Sequence, residues 1–237
     1  MATRTGGTTV RGIETAMSSS PIMRSVSAAS VRQLAGRGTV REYRRGTYLF
    51  HQGDEAPEVF FLHGGRVEVA SLSATGHRQL LTTLEGSQFF GEIGVLGDLK
   101  RTSTAMALVD SEVWVVDGET FAAFISKEPP AARALLRALA RQVTAHESLV
   151  DDLLFLDLKG RVAKRLLGLV SDLEELPPDG AVIPSVVTHA DLASLCGGSR
   201  ENVTRILSDF QRRKLIDRDG RRYVLKNVDG LAKLAGL

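Results

Sequence analysis

Cysteine is almost missing from this chain: Cys196 stands alone among 237 residues. An intramolecular disulfide is thereby excluded, and so is a zinc ribbon, which needs several thiolates or imidazoles at close spacing. Long apolar runs are missing too. No stretch approaches the roughly 18 consecutive apolar residues of a membrane-spanning helix, and the amino terminus has no apolar secretory core; no membrane partner and a cytoplasmic location are expected. The text also lacks a nucleophile and base pair, a close cluster of metal ligands and a Walker-type glycine loop, so an enzyme is the least favoured class and no metal is expected. Net charge is only +2, too little to argue by itself for a polyanionic partner.

What is present is unevenly distributed. A hydrophobic share of 43% over this length suffices for two ordinary domains with their own cores. Basic residues concentrate late: Arg200, Arg205, Arg212, Arg213, Lys214, Arg218, Arg221, Arg222 and Lys226 face only Glu201, Asp209, Asp217 and Asp219 between Gly198 and Lys226. Such clustering suits phosphate contact, and a solvated helix face is the other reading.

Residues 1–22 are rich in Thr, Ser, Gly and Arg with scattered apolar residues, the composition of a disordered tail. A short helix over Ser30 to Leu34 precedes short β-type runs such as Tyr48-Leu49-Phe50 and Val59-Phe60-Phe61-Leu62. Gly46, Gly53, Gly64-Gly65, Gly76 and Gly86 punctuate them at the spacing of many short strands joined by turns. Arg66 to Leu72 and Gln79 to Leu84 suggest a hairpin around Thr75-Gly76, and Glu112 to Val116 a late strand. Residues 23–126 are therefore expected to form an all-β-centred domain. Pro129-Pro130 opens a long helix reaching about Leu156, so 127–156 forms a separate segment. Leu139, Val143, His146, Val150 and Leu153 recur along it at alternating steps of four and three, the seam of a two-stranded coiled coil. Self-association into a homodimer is one reading; packing of that stripe on the chain's own β-domain is the other.

Residues 157–237 carry the strongest signal. Asp157 caps a helix from Leu158 to about Leu173, and Pro177-Pro178-Asp179-Gly180 breaks the chain. Thr188-His189-Ala190-Asp191 fits a capping box, opening a helix to about Leu195. Cys196-Gly197-Gly198 makes the turn and Ser199 caps a second helix to about Lys214. On that helix Val203, Ile206, Leu207 and Phe210 define a buried face; opposite them lie Glu201, Arg205, Ser208 and Arg212, with Arg200 on the flank. Arginine can pair with guanine O6 and N7, and glutamate can accept from the cytosine amine. Tyr223-Val224-Leu225 after Asp219-Gly220-Arg221-Arg222 suggests a β-hairpin wing whose arginines meet phosphate. Double-stranded DNA is the expected partner of this segment.

From about Met23 onward the chain resembles the family of the cyclic-AMP receptor protein (catabolite activator) and its fumarate-nitrate regulator relatives. Three separated motifs carry the resemblance: Phe90-Gly91-Glu92-Ile93 with Arg101-Thr102-Ser103, then Leu156-Asp157-Leu158-Lys159-Gly160-Arg161-Val162-Ala163, then Ser199-Arg200-Glu201-Asn202-Val203 with Arg205. The fold class implied is α+β: a jelly-roll-like β-roll that binds a cyclic nucleotide, a long dimerisation helix, and a winged helix-turn-helix. The resemblance makes Gly91, Glu92, Ile93, Arg101 and Thr102 a phosphate-binding cassette. Arg101 would neutralise the cyclic phosphate, Thr102 add a hydroxyl, and Glu92 accept from the ribose 2′-hydroxyl. Cyclic AMP is the first candidate effector. His146 and Glu147 stand where such proteins usually offer small polar residues to the adenine, and Gln142 where arginine is frequent; another ligand, or none, stays open. Arg200, Glu201 and Arg205 match the base-reading positions. The resemblance implies a palindromic operator with TGTGA-like half-sites, RNA polymerase as a partner, and a hinge at Leu156, Asp157 and Gly160.

An iron–sulfur sensor needs a cysteine cluster that one thiol cannot supply. For a haem sensor, His51, His63 and His77 lie in predicted strands or hairpins, where scattered histidines are usually structural. A cyclic-nucleotide module acting on a partner protein would leave Arg200, Glu201 and Arg205 unexplained.

Overall fold

The computed structural model describes residues 4–5, 10–73, 78–171, 173, 175–184 and 187–237. The expected hairpin turn at Thr75-Gly76, and His77, lie outside them. Two units emerge, Met1–Gln142 and Val143–Leu237, with the long helix running through the division.

The first unit begins with β1 (Arg4–Thr5), α1 (Val10–Ser19) and α2 (Ala28–Ala35), followed by β2 (Thr39–Tyr43), β3 (Tyr48–Phe50), β4 (Glu58–Gly64), β5 (Arg66–Leu72), β6 (Arg78–Glu85) and β7 (Gln88–Phe90). After the short α3 (Glu92–Leu96) come β8 (Thr104–Ala107), β9 (Ser111–Asp117), α4 (Gly118–Lys127) and α5 (Pro129–Phe155). The strands form a five-stranded sheet ordered β1-β2-β9-β4-β7 and a four-stranded sheet ordered β3-β8-β5-β6, all pairings antiparallel.

The unbroken apolar run Val59-Phe60-Phe61-Leu62 has a direct cause. Successive strand residues face opposite sides, and both sides of β4 are covered. Phe60 and Leu62 join Val113 and Val115 of β9 and, from the other sheet, Phe50, Val67 and Leu84 in the inter-sheet core. Val59 and Phe61 join Trp114 and Val116 on the outer face, beneath Val31, Leu34, Phe121, Ala131 and Leu135 of the helices. A Cβ on Gly38 would fall 2.3 Å from Trp114, so only glycine lets the chain pass this ring. The Trp114 Nε1–H donates to the Ala35 carbonyl at 3.1 Å.

The expected disordered tail over 1–22 is corrected for its described part. Ile13 and Met17, one helical turn apart on α1, are buried to 1% and 0% exposure in the outer core. Arg32 of α2 ties the helix down by two hydrogen bonds to the Glu14 carboxylate. Polar neighbours mask this two-residue anchor in the sequence; only the apolar face of β4 and β9 reveals what it covers.

The second unit holds the end of α5, α6 (Leu158–Gly168), α7 (His189–Cys196), α8 (Arg200–Arg212), a hairpin of β10 (Ile216–Asp219) with β11 (Arg222–Leu225), and α9 (Val228–Ala235). Leu166, Leu167, Leu192, Val203, Leu207, Phe210, Ile216, Tyr223 and Leu231 gather its core from α6, α7, α8, both strands of the hairpin and α9. The helix expected to reach Leu173 stops at Gly168, with Leu169 as its cap and Leu173 at φ 67. The Asp179 carboxylate then accepts from the Val228 amide at 2.7 Å and fastens the Pro177–Gly180 segment to α9. Among the described residues no helix is long and apolar enough to cross a membrane, and no group of three or more His, Cys, Asp or Glu is placed to hold a metal ion.

Candidate functional sites

The cassette predicted around Gly91 sits where β7 passes into α3. Gly91 takes φ 76 and ψ 6, and a Cβ there would meet Arg101 Nη1 at 2.7 Å and Phe60 at 3.0 Å; the position demands glycine on both counts. Arg101 reaches in from the segment before β8. Its Nη1 donates to the Gly91 carbonyl at 2.7 Å and its Nη2 to the Glu58 carbonyl at 2.6 Å. The guanidinium lies 4.4 Å from the Phe50 ring centre and 5.1 Å from that of Phe60, a cation–π platform. The loop before β4 holds the backbone: the Arg101 amide donates to the Asp54 carbonyl and the Arg101 carbonyl accepts from Gly53.

Arg101 is 5% exposed, and its Nε–H is buried without an acceptor. Burial depresses its pKa from the ordinary value, resisted by the charges of Glu58, Asp54 and Glu92. Glu92, 8% exposed, has its pKa raised by burial against the pull of its own backbone amide and of Arg101. Arg101 spends its hydrogen bonds on carbonyls rather than on the Glu92 carboxylate. A buried cation with neutral partners and one orphan donor is an arrangement that an anion would complete. Ile93 is half-buried on α3, and Thr102 is exposed next to Arg101. The Glu58 carbonyl and the Phe50–Phe60 platform were not legible in sequence, because no residue type announces a backbone acceptor or a ring stacked from another strand.

The predicted ligand residues on the long helix belong to the other unit: His146 and Glu147 are exposed on α5 beyond Val143, and Gln142 is exposed at the end of the first unit. The expected seam divides. Leu139 packs on the outer core of the first unit, as the intramolecular reading proposed, together with Ala131 and Leu135. Val143, Val150 and Leu153 are about half exposed at 57%, 53% and 49%, and Leu154 and Phe155 are more so. At the expected hinge, Arg161 Nη1 donates to the Leu156 carbonyl at 2.8 Å and the Asp157 carboxylate caps α6 through the Gly160 amide at 2.7 Å. Gly160 itself lies inside α6, where a Cβ would stand 2.7 Å from the Leu234 carbonyl. Close packing against α9 accounts for this glycine.

The predicted helix-turn-helix is built as its text reads. Thr188 Oγ1 accepts from the Asp191 amide at 3.1 Å and the Asp191 carboxylate accepts from the Thr188 amide at 3.0 Å, a complete capping box despite the short acid. Gly197 closes α7 at φ 63. Cys196, expected in the turn, instead ends α7 inside the core, where burial pushes its thiol up to about 11. Ser199 caps α8 by accepting from the Asn202 amide at 3.2 Å. Val203, Leu207 and Phe210 are buried, which turns Arg200, Glu201 and Arg205 to solvent along one face. Arg205 donates to Asn202 of the same helix. Glu201 stays ionised, its carboxyl held below the usual range by its own backbone amide and Ser199. Asp209 is taken up by Lys159 at 2.6 Å and by Arg212. Arg221 and Arg222 are exposed at the wing turn, where Gly220 adopts φ 58.

These two sites coincide with two known domain families. Residues 40–128 match the cyclic nucleotide-binding domain, and residues 160–234 the Crp-like helix-turn-helix domain. The CRP-like cAMP-activated global transcriptional regulator of Mycobacterium tuberculosis is 28% identical over 214 residues, 90% of this chain and 96% of that protein. The cAMP-activated global transcriptional regulator CRP of Haemophilus influenzae is 29% identical over 188 residues, covering 78% and 83%. Among solved structures, Thermus thermophilus catabolite activator protein aligns over 92% of this chain and 99% of its own at 26% identity with a TM-score of 0.54. The c-di-GMP responsive regulator CLP of Xanthomonas campestris shares the fold at 23% identity, a TM-score of 0.70 and coverage of 84% and 99%. With a nucleotide-binding β-domain and a DNA-binding helix-turn-helix in the same order, this chain belongs to the CRP/FNR family of transcription regulators and is not an enzyme.

Proposed function

We propose that this protein is a cytoplasmic homodimeric regulator whose DNA affinity is set by a cyclic nucleotide, cyclic AMP first, held in the β-domain. The observation that carries the reading is Arg101: a guanidinium buried among carbonyls and phenyl rings, with an unpartnered Nε–H, beside a glycine whose missing Cβ makes room for it. Its charge would neutralise the cyclic phosphate, with Gly91, Glu92, Ile93 and Thr102 around it, and Glu92 would accept from the ribose hydroxyl. Relatives at 28–29% identity carry names that specify activation by cAMP.

Dimerisation is supported by the half-exposed stripe Val143, Val150 and Leu153, with His146 on the same seam. Two copies of α8 would then enter successive major grooves of a palindromic site about 34 Å apart. Ser199, Arg200, Glu201 and Arg205 would address TGTGA-like half-sites while Arg221 and Arg222 meet phosphate. RNA polymerase is the partner this reading implies at a promoter. Ligand would act by binding more tightly to the conformer in which the Leu156–Asp157 junction sets the paired reading heads for DNA.

A different nucleotide is the second reading. It is favoured by the exposed pair His146 and Glu147 on α5, and by the relative described as c-di-GMP responsive. Titrating cyclic AMP, cyclic GMP and cyclic di-GMP into the purified full chain by calorimetry decides between them. Repeating the binding of a duplex enriched from a random pool, with and without each nucleotide, tests the coupling; equal DNA affinity in every condition overturns nucleotide control.

A further inference from the structure

Four side chains from α7, α8 and both wing strands form one connected set of hydrogen bonds in the second unit. Thr204 on α8 donates its only hydroxyl proton to the Arg200 carbonyl at 2.8 Å. Toward His189 Nδ1, also 2.8 Å away, the hydroxyl must therefore accept. Nδ1 thus carries the imidazole proton and Nε2 is an acceptor. Tyr223 Oη on β11 lies 2.9 Å from Nε2 and receives a hydrogen bond from Arg218 Nη2 on β10 at 2.7 Å. The phenol has one proton left to give, and it points to the imidazole. Arg218 Nη2 stands 3.1 Å from the same Nε2, with its guanidinium 4.6 Å from the Tyr223 ring centre.

Tyr223 Oη and Arg218 Nη2 both converge on Nε2, which can accept only while His189 is neutral. The ionisable groups facing it are Arg218 and Tyr223 from the wing and Arg200 from α8; on its own helix Asp191 is engaged with Thr188. Among the described residues no carboxylate faces the ring to stabilise an imidazolium. A proton on Nε2 would set two donors against each other across the Tyr223 contact and place a third cation beside two guanidiniums.

We propose that His189 is a positioning residue for DNA recognition: neutral, it ties Thr204 of the reading helix to the wing, and its protonation releases that tie and weakens DNA binding. The inference rests on the DNA-binding reading of this unit. Burial, then Arg218, then Arg200 lower the imidazole pKa below its ordinary value. The unfolded chain therefore binds the proton more readily; the tie is at full strength above the ordinary histidine pKa and is lost as pH falls through the depressed one.

The test uses the full chain, wild type beside His189→Asn and Tyr223→Phe. Asparagine can still donate to Thr204 but does not titrate. Affinity for a duplex enriched from a random pool is followed by anisotropy from about pH 8 to about pH 5.5, together with hydrogen exchange of the wing amides without DNA. The wild type is expected to lose about fivefold more affinity than His189→Asn over that range, with wing amides opening at low pH in the wild type alone. Tyr223→Phe removes the opposing phenol proton and moves the wild-type midpoint to higher pH. Identical pH profiles for wild type and His189→Asn, in affinity or in wing exchange, overturn the proposal. Wing opening confined to the wild type, with no duplex enriched at any pH, upholds the tie and overturns the DNA reading instead.

Discussion

At the scale of single residues, the arginines proposed to meet nucleotide and DNA are prepared in opposite ways. Arg101 is buried, with its hydrogen bonds and ring contacts fixing it in one pose, so its charge is costly until an anion shares the site. Arg205 is exposed and tethered only to Asn202 on its own helix, which leaves its guanidinium free to exchange that amide for a base edge. We expect Arg205→Ala to cost about 1–3 kcal/mol of specific DNA binding and to relax one base position, without altering nucleotide affinity. Footprinting checks this, and an unaltered footprint refutes the reading role. Both arginines were identifiable from short motifs because each lies within a local run. The acceptors that orient Arg101 were not, since Glu58 and Gly91 contribute carbonyls from separate elements.

At the scale of elements, caps and periodicity were the informative signals. The Thr188–Asp191 box, the Ser199 cap and the glycine after α7 all depend on neighbours within four residues, and each has the geometry its spacing implies. Replacing Thr188 with alanine removes the acceptor for the Asp191 amide. It should destabilise the second unit by about 1 kcal/mol in urea unfolding, and an unchanged midpoint would mean that water replaces the cap at no cost. Elements whose stability comes from distant partners were harder to see. The helix α1 has only Ile13 and Met17 to bury, and α6 ends at Gly168, five residues before the apolar text does, because Val170 and Leu173 pack on the core from outside the helix.

At the scale of the whole molecule, the long helix carries two kinds of apolar surface under one periodicity. Ala131, Leu135 and Leu139 are satisfied by the chain's own β-domain. Val143, Val150 and Leu153 remain about half exposed, more contiguous apolar stripe than a helix usually presents to water. If a second copy covers it, Val150→Glu will shift the purified protein from dimer to monomer in analytical ultracentrifugation while leaving each unit folded. The side chain sits outside both cores. A dimer that survives this change at micromolar concentration would place the contact elsewhere.

The amino-acid sequence by itself determined what depends on near neighbours: the capped helices of the DNA reader, the strand-and-glycine rhythm of the β-domain, and the Gly91-Glu92 and Arg101 positions of the cradle. Tertiary structure alone decided what depends on residues far apart in the chain. It turned an apparent tail into a core helix, made Gly160 a packing contact, seated Arg101 on Phe50 and Phe60, and joined His189 to the wing. Those outcomes follow from burial, ring contacts and hydrogen-bond partners brought together from far along the chain, as between Phe50 and Arg101 and between Gly160 and Leu234, and no local pattern encodes a partner at such a distance.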